Sequence, residues 1–163
     1  MSLLLSGAAD AAPSPPLCLL PAVRTHGRSL VVVAGGGRDL DWSPTRVAIA
    51  LKAHTRGLYV HRLFHGGARG ADQAIDAAAH RLGWVVEVLR PDWDRYGLGA
   101  GPVRNGQLLR SACELAAAAP CGAPAGVLVL AFPGHRGTAS LLDQARKLQA
   151  RCSLPIEVIS VDP

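Results

Sequence analysis

Short apolar runs alternate with segments of helical periodicity along most of the chain. Five runs rich in apolar and β-branched residues have the length of strands: 30–34, 58–64, 84–89, 126–131 and 156–159. Four segments place apolar residues at helical spacing: 44–55, 71–82, 103–119 and 139–151. This alternation predicts right-handed crossovers and a parallel sheet with helices on both faces. We therefore expect an α/β fold, a Rossmann-like three-layer domain with a parallel sheet of about five strands.

The first 28 residues differ from the rest of the chain, since they are rich in Ala, Pro, Ser and Leu. Four prolines interrupt any long element there: Pro13, Pro15, Pro16 and Pro21. A signal peptide is the alternative, because two stretches of this segment are apolar, but no basic region precedes them. We expect an N-terminal extension over residues 1–28 and one domain over residues 29–163, which is long enough to bury a hydrophobic core.

Three of the predicted strands end in a glycine-rich turn that contains arginine. The turns read Gly35-Gly36-Gly37-Arg38, Gly66-Gly67-Ala68-Arg69-Gly70 and Pro133-Gly134-His135-Arg136-Gly137-Thr138. In a parallel sheet of this kind, all three lie at the carboxyl edge, where ligands bind. Glycine lets the backbone approach a ligand closely, and the first N–H groups of a helix attract anions. The sequence therefore predicts an anion-binding site at this edge.

A longer loop is predicted at residues 90–102, and loops of this length are often functional. The loop contains Asp92 and Trp93, and Arg104 and Asn105 follow it. Because it comes after the third strand, we expect all four side chains at the same rim.

The candidate ligand-binding residues are Gly35, Gly37, Arg38, Gly66, Gly67, Ala68, Arg69, Gly70, Asp72, Asp92, Trp93, Arg104, Asn105, Pro133, Gly134, Arg136, Gly137 and Thr138. We expect the N–H groups of residues 66–70 and 134–138 to hold phosphate, assisted by Arg69 and Arg104. The side chains expected to bind ribose hydroxyls or base edges are Asp72, Asp92 and Asn105.

Several of these side chains also have purely structural explanations. Asp72 lies in the first turn of a predicted helix, where the helix dipole favours a carboxylate. Trp93 is either a stacking partner for a base or a packing anchor for its loop. His65 ends a strand, where a bond to the backbone is more common than a bond to phosphate. Asp39, Asp72 and Asp92 could together neutralise the arginines of the predicted site without a ligand.

Two common nucleotide-binding patterns are absent from the sequence. The glycines do not fit GxGxxG, and His65 stands where a dinucleotide-binding domain carries a ribose-binding acid. GxxxxGK[ST] is also absent, which disfavours a P-loop nucleotidase.

The net charge of +5 comes almost entirely from arginine, since Lys52 and Lys147 are the only lysines. Coding bias explains this balance as well as a phosphate-bearing partner does. No block of consecutive basic residues is present and aromatic residues make up only 4% of the chain, so a nucleic-acid partner is less favoured than a small ligand. The apolar runs are far shorter than the roughly 20 residues that span a bilayer, so no membrane partner is expected.

The cysteines are Cys18, Cys113, Cys121 and Cys152, and none has CxxC or Cys/His ligand spacing. We expect a reduced protein in the cytoplasm of a bacterium or of a phage-infected cell, with neither a structural metal nor a cofactor. Cys113 lies in a predicted helix and is expected to act as a small apolar residue.

Five motifs occur in order: 31–39 (VVVAGGGRD), 65–72 (HGGARGAD), 91–93 (PDW), 100–105 (AGPVRN) and 132–138 (FPGxxGT). Together they resemble the YspA (cpYpsA-related) branch of the SLOG superfamily, common in bacteria and their phages, over about residues 30–161. The resemblance implies a Rossmann-like domain that binds a nucleotide or nucleotide-derived ligand, as a sensor or in phage–host conflict.

The same superfamily contains the LOG phosphoribohydrolases, which release a base from a nucleoside monophosphate, and DprA-type proteins that bind single-stranded DNA. The hydrolases carry the motif PGGxGTxxE, whereas here His135 replaces the second glycine and Leu141 replaces the glutamate. Leucine cannot handle a proton or stabilise an oxocarbenium ion. The catalytic residues of any hydrolase activity therefore stay unknown.

Binding of a small nucleotide-derived ligand is the leading hypothesis, and three others stay open. The protein is alternatively an N-glycosidic or phosphoribo-hydrolase that uses Asp72 or Asp92 as general acid or base. It is alternatively a single-stranded nucleic-acid binder, which the basic charge permits, or a structural or virion-associated protein with a vestigial pocket. The apolar faces of the helices, especially at 103–119, would suit a homodimer.

Overall fold

A five-stranded parallel sheet organises residues 29–118 and 126–162, which are the residues that the computed structural model describes. The predicted extension at 1–28 lies outside these ranges. The strands are β1 (Ser29–Gly35), β2 (Tyr59–His65), β3 (Val86–Val88), β4 (Gly126–Ala131) and β5 (Ile156–Ser160). The helices are α1 (Pro44–His54), α2 (Ala71–Arg81), α3 (Trp93–Tyr96), α4 (Ala100–Ala117) and α5 (Arg136–Gln149), with a 3₁₀ turn at Gly97–Gly99.

The strand order is β3-β2-β1-β4-β5, and all four neighbouring pairs are parallel. This confirms the predicted Rossmann-like α/β fold. The chain moves outward from β1 through β2 to β3, and then crosses back to β4 on the other side of β1. The connections therefore diverge between the carboxyl ends of β1 and β4, which opens a crevice where such folds bind ligands.

Consecutive residues of β1 belong to two different cores, which explains its continuous apolar sequence. Val32 packs with Leu51 of α1 and Ile75 of α2 in one cluster. Val33 packs with Leu109 of α4 and other residues in the second cluster on the opposite face. The sheet is therefore the middle of three layers, as the sequence predicts.

Helix α1 begins where the sequence indicates, because its first turn carries strong start signals. Ser43 is the N-cap, and its side-chain oxygen accepts a hydrogen bond of 3.2 Å from the N–H of Arg46. Pro44 occupies the first helical position, where its missing N–H costs nothing.

The prediction of a loop over residues 90–102 is wrong for most of that segment. Asp92 caps α3, and its Oδ1 accepts a hydrogen bond of 3.0 Å from the N–H of Arg95. Helix α4 begins at Ala100, and Pro102 is tolerated in its first turn because N–H groups there have no acceptor within the helix. Helix α5 likewise begins at Arg136, three residues earlier than predicted. Both helix starts were missed because glycine and proline, which disfavour helix interiors, occur in or just before the first turns.

Cys113 lies in the cluster between α4 and the sheet, next to Cys152. Burial, followed by the neighbouring Cys152, raises the pKa of the Cys113 thiol to about 11. A neutral, partly buried thiol of this kind behaves as a small apolar side chain.

Within residues 29–118 and 126–162, no group of His, Cys, Asp and Glu side chains is arranged to hold a metal ion. The helices of these same ranges include none with the length and apolarity required to cross a membrane.

Replacing Leu51 with alanine is expected to destabilise the domain by about 2–5 kcal/mol, because it removes a fully buried side chain from the core under α1. Ile49→Ala is the matched control on the same helix, since Ile49 is 66% exposed and its loss should change stability by roughly 0.5 kcal/mol or less. Urea denaturation followed by circular dichroism measures both. Equal costs for the two variants would contradict the packing of α1.

Candidate functional site

A cavity of about 790 Å³ opens at the carboxyl edge of the sheet, in the crevice between β1 and β4. This volume is within the range of small-molecule sites. Most of the residues predicted from sequence line it: Gly35, Gly37, Arg38, Gly66, Ala68, Asp72, Trp93, Arg104, Asn105, Arg136, Gly137 and Thr138. Other predicted residues do not line it: Gly67, Arg69, Gly70, Asp92, Pro133 and Gly134.

The three glycine turns are joined by backbone hydrogen bonds that meet at Gly37. Its N–H donates to the carbonyl of Pro133 at 2.9 Å, and its carbonyl accepts from the N–H of Ala71 at 3.0 Å. A Cβ atom at Gly37 would lie 2.9 Å from the Cα of Gly134, so only glycine permits this approach. Pro133 and Gly134 therefore hold the lining residue Gly37 in place and do not line the cavity themselves.

Gly70 has a similar structural role at the start of α2. Its φ of +74° is in the region that favours glycine, and a Cβ atom there would collide with the carbonyl of Arg38. Its neighbour Arg69 is exposed and lies outside the cavity wall.

The turn at residues 66–70 has fewer free N–H donors than the sequence suggests. The N–H of Gly67 donates to Nδ1 of His65 at 3.1 Å, and the N–H of Ala68 donates to Oδ2 of Asp72 at 3.1 Å. Since Nδ1 of His65 accepts this hydrogen bond, Nε2 carries the proton and donates it to Oδ1 of Asp76 at 3.0 Å. The predicted phosphate cradle at this turn is therefore partly filled by the protein itself.

Helix α5, in contrast, begins with unused donors. No acceptor for the N–H groups of Arg136, Gly137 and Thr138 is found among residues 29–118 and 126–162, and the N-cap residue His135 makes no side-chain capping bond. The Oγ1 atom of Thr138 is also buried without a hydrogen-bond partner in these ranges. All four of these residues, from His135 to Thr138, line the cavity. The N-terminal end of α5, with these donors, therefore forms part of the cavity wall.

Arg104 and Asp72 form a buried ion pair at the floor of the cavity. Nη1 of Arg104 lies 3.6 Å from Oδ2 of Asp72, which is an ionic contact too long for a hydrogen bond. The Arg104 side chain is only 15% exposed and that of Asp72 only 3%. Burial lowers the pKa of Arg104, while the charge of Asp72 opposes this shift.

This pair leaves several polar atoms unsatisfied. Oδ1 of Asp72, as well as Nε and Nη1 of Arg104, are buried and have no hydrogen-bond partner among the described residues. Buried polar atoms are normally bonded, so such a group is unusual in a native protein. Gly66 makes room for the pair, because a Cβ atom there would overlap the Arg104 guanidinium.

Trp93 and Arg38 approach each other at the mouth of the cavity. The Arg38 guanidinium carbon lies 5.4 Å from the centroid of the Trp93 ring, which is within cation–π range. Trp93 is 45% exposed, and its neighbour Leu98 is almost fully exposed. The rim therefore presents one aromatic and one aliphatic surface to the cavity.

Two other predicted residues have structural partners. Asn105 is buried, and its Nδ2 donates to the carbonyl of Gly137 at 3.2 Å, which ties α4 to the first turn of α5. Asp92 serves as the cap of α3 and does not line the cavity.

Leu141 occupies the position at which the hydrolase motif has glutamate. It is 3% exposed and lines the cavity, and a Cβ atom at Gly35 would lie 3.2 Å from its Cδ2. The cavity is therefore apolar at the place where that carboxylate would act.

The cavity also includes residues that were not among the sequence-based candidates: Ala34, Gly36, Asp39, Leu98, Gly101, Pro102, Leu108, His135, Ser140 and Leu141. Leu98, Gly101 and Pro102 were missed because residues 90–102 were interpreted as one irregular loop. A better signal was available in the helical spacing that continues from residue 100 into α4.

Replacing Gly66 with alanine is expected to expel the Arg104 guanidinium and leave Asp72 buried without its cation, at a cost of up to about 3–5 kcal/mol. Urea denaturation measures the loss. In an Arg104→Ala background the same change meets no guanidinium, so its added cost should fall well below the cost in the wild type.

Gly101→Ala is the matched control, because a Cβ atom there meets nothing within 4 Å and alanine favours the helix. Equal costs for Gly66→Ala in the two backgrounds would show that Arg104 does not lie over Gly66.

Three comparisons relate this chain to other proteins. The sequence profile of a family described as "YspA, cpYpsA-related SLOG family" matches residues 30–96. The "Gene 61 protein" of Mycobacterium phage D29 is 37% identical over 101 residues, which are 59% of this chain and 80% of that protein.

Among solved structures, the crystal structure of an uncharacterized protein from Alicyclobacillus acidocaldarius subsp. acidocaldarius DSM 446 is similar over 82% of this chain and 73% of that chain. The two are 14% identical, with a TM-score of 0.32. The profile match includes the first two glycine turns and ends at α3. On this match and on the extent of the similarity to the phage protein, the chain belongs to the YspA, cpYpsA-related SLOG family.

Proposed function

We propose that the cavity binds a nucleotide or nucleotide-derived ligand, with its phosphate at the N-terminus of α5. The observation that carries this proposal is a set of donors without a partner among the described residues: the N–H groups of Arg136, Gly137 and Thr138, and the buried Oγ1 of Thr138. A helix N-terminus with free N–H groups is suited to phosphate, because the helix dipole and the donors act together.

The charges around the cavity also favour an anionic ligand. Three arginines and two aspartates line it. Asp72 is already paired with Arg104, so the exposed side chains of Arg38 and Arg136 are the cations best placed to reach a ligand phosphate. Guanidinium groups bind phosphate through paired, charge-assisted hydrogen bonds.

The rim suits the planar base of a nucleotide. Trp93 exposes part of its ring at the mouth of the cavity, and base–aromatic stacking contributes about 1–3 kcal/mol per base. Leu98 offers an apolar surface close by in sequence. In this arrangement the Arg38 guanidinium that now stacks on Trp93 moves to the ligand phosphate when the base stacks in its place.

Membership of a SLOG family supports nucleotide-derived ligands in general. The apolar Leu141, where the related hydrolases carry glutamate, favours binding without cleavage, which suits a sensor. The similarity to a phage protein agrees with a role in phage or in phage–host conflict.

An N-glycosidic hydrolase is the second candidate, and one observation favours it. Asp72 places a carboxylate oxygen, Oδ1, at the floor of the cavity without a hydrogen-bond partner in the described part of the chain, and this oxygen could act as a general base. Release of free adenine from AMP by the purified protein, lost in Asp72→Asn, would replace the binding proposal with this one.

Thermal unfolding with AMP, ADP-ribose, NAD and cyclic nucleotides tests the proposed function. We expect at least one of them to raise the melting temperature, since a ligand at 100 times its dissociation constant stabilises the native state by about 2.7 kcal/mol. Arg136→Ala should lower the affinity for that ligand by roughly tenfold, because a hydrogen bond between charged groups contributes about 1.5–3 kcal/mol.

Arg110→Ala is the matched control, since Arg110 is an exposed arginine of α4 outside the cavity wall. It should keep the wild-type affinity. No shift with any compound of the panel would refute ligand binding, and a steeply salt-dependent affinity for single-stranded oligonucleotides would favour the nucleic-acid alternative.

A further inference from the structure

The buried Asp72–Arg104 pair has an acceptor and donors that make no hydrogen bond within the described residues. Oδ1 of Asp72 can only accept a hydrogen bond, and Nε and Nη1 of Arg104 can only donate. Nη1 of Arg104 lies 3.6 Å from Oδ2 of Asp72, the oxygen that accepts from Ala68. The unused acceptor and the unused donors therefore belong to two side chains that approach each other at the floor of the cavity.

A phosphate group is a poor match for this position. The charges of Asp72 and Arg104 largely cancel, and a phosphate close to Arg104 would also lie close to the buried carboxylate and be repelled by it. The free N–H groups that begin α5 offer an anion a better position nearby. The group that complements the pair is a hydroxyl, since it donates to the carboxylate and accepts from the guanidinium at once.

The pair is next to the expected phosphate position, which identifies the hydroxyl. Asn105, the neighbour of Arg104 in α4, donates to the carbonyl of Gly137 in the first turn of α5. In addition, a Cβ atom at Gly35 would lie 3.2 Å from Cδ2 of Leu141 in α5 and 3.9 Å from Oδ1 of Asp72. In a nucleotide the ribose is bonded directly to phosphate and the base lies beyond it, so the group within reach of the pair is the ribose.

We propose that Asp72 and Arg104 together bind a ribose 2′- or 3′-hydroxyl, and that the site thereby selects against nucleotides that lack this hydroxyl. This inference rests on the proposed function. A ligand that lacks the hydroxyl leaves the buried carboxylate oxygen and guanidinium nitrogens unsatisfied in the complex. Sites that hydrogen-bond a substrate hydroxyl reject the analogue without it for this reason.

Isothermal titration of the full chain with AMP, 2′-deoxy-AMP and 3′-deoxy-AMP tests the selection. At least one deoxy analogue is expected to bind about tenfold more weakly than AMP, which corresponds to about 1.4 kcal/mol. Ribose 5-phosphate and 2-deoxyribose 5-phosphate repeat the comparison of the 2-hydroxyl without a base. Equal affinity for AMP and both deoxy analogues overturns the selection but leaves the proposed function standing, whereas absence of binding by all of these compounds and by the nucleotide panel overturns both.

Asp72→Asn tests the role of the carboxylate itself. The amide oxygen can still accept from the N–H of Ala68, as Oδ2 does now, but an NH₂ group replaces the acceptor Oδ1. The variant should therefore lose the preference for AMP, so that the affinities for AMP and its weaker deoxy analogue come within about twofold of each other.

Asp143→Asn is the matched carboxyl-to-amide control, because Asp143 is exposed on α5 and bonded to Lys147. It should keep the full tenfold preference. A preference unchanged in Asp72→Asn contradicts the assignment. Should Asp72→Asn not fold, the comparison of the three nucleotides on the wild-type chain still decides.

Discussion

Close backbone approach at Gly37 is the constraint on which the carboxyl edge of this sheet depends. One N–H and one carbonyl of the same residue connect the turn after β1 to the turn after β4 and to the start of α2. A side chain at Gly37 would push Gly134 away, and one at Gly36 would lie 2.6 Å from the Cβ of Ala71. The glycines therefore serve mainly to bring three turns together, and the cavity exists because they meet there.

This junction also decides which donors a ligand can reach. In the turn before α2 and at its first residue, the N–H groups of Gly67, Ala68 and Ala71 donate to His65, Asp72 and Gly37, so the protein itself uses these donors. At the start of α5, the N–H groups of Arg136, Gly137 and Thr138 have no acceptor in the part of the chain that the structure describes. Two glycine turns with similar composition thus have different roles: one positions the Asp72–Arg104 pair, and the other provides free donors. The distinction depends on hydrogen bonds between segments that are distant in sequence.

The buried Asp72–Arg104 pair is energetically costly for the protein. Removing two charges from water is costly, and a single contact at 3.6 Å with unpaired atoms around it offsets this cost poorly. Proteins commonly accept such a cost at functional sites, where a ligand completes the hydrogen bonds. Gly66 is required for the same reason, since the guanidinium fills the space that any Cβ atom would need.

The sequence by itself determined the layers, the parallel sheet and the edge at which the cavity lies, because apolar periodicity and strand–helix alternation are local properties of the chain. It also predicted that Arg38, Arg69, Arg104 and Arg136 lie at one rim. Only the tertiary structure decided that Arg69 points away from the cavity while Arg104 is buried in it. The helices within residues 90–102 were likewise hidden by glycine and proline. Spacing along a chain shows which turns share an edge, but the choice of partner for each N–H and each charge is made by packing between segments.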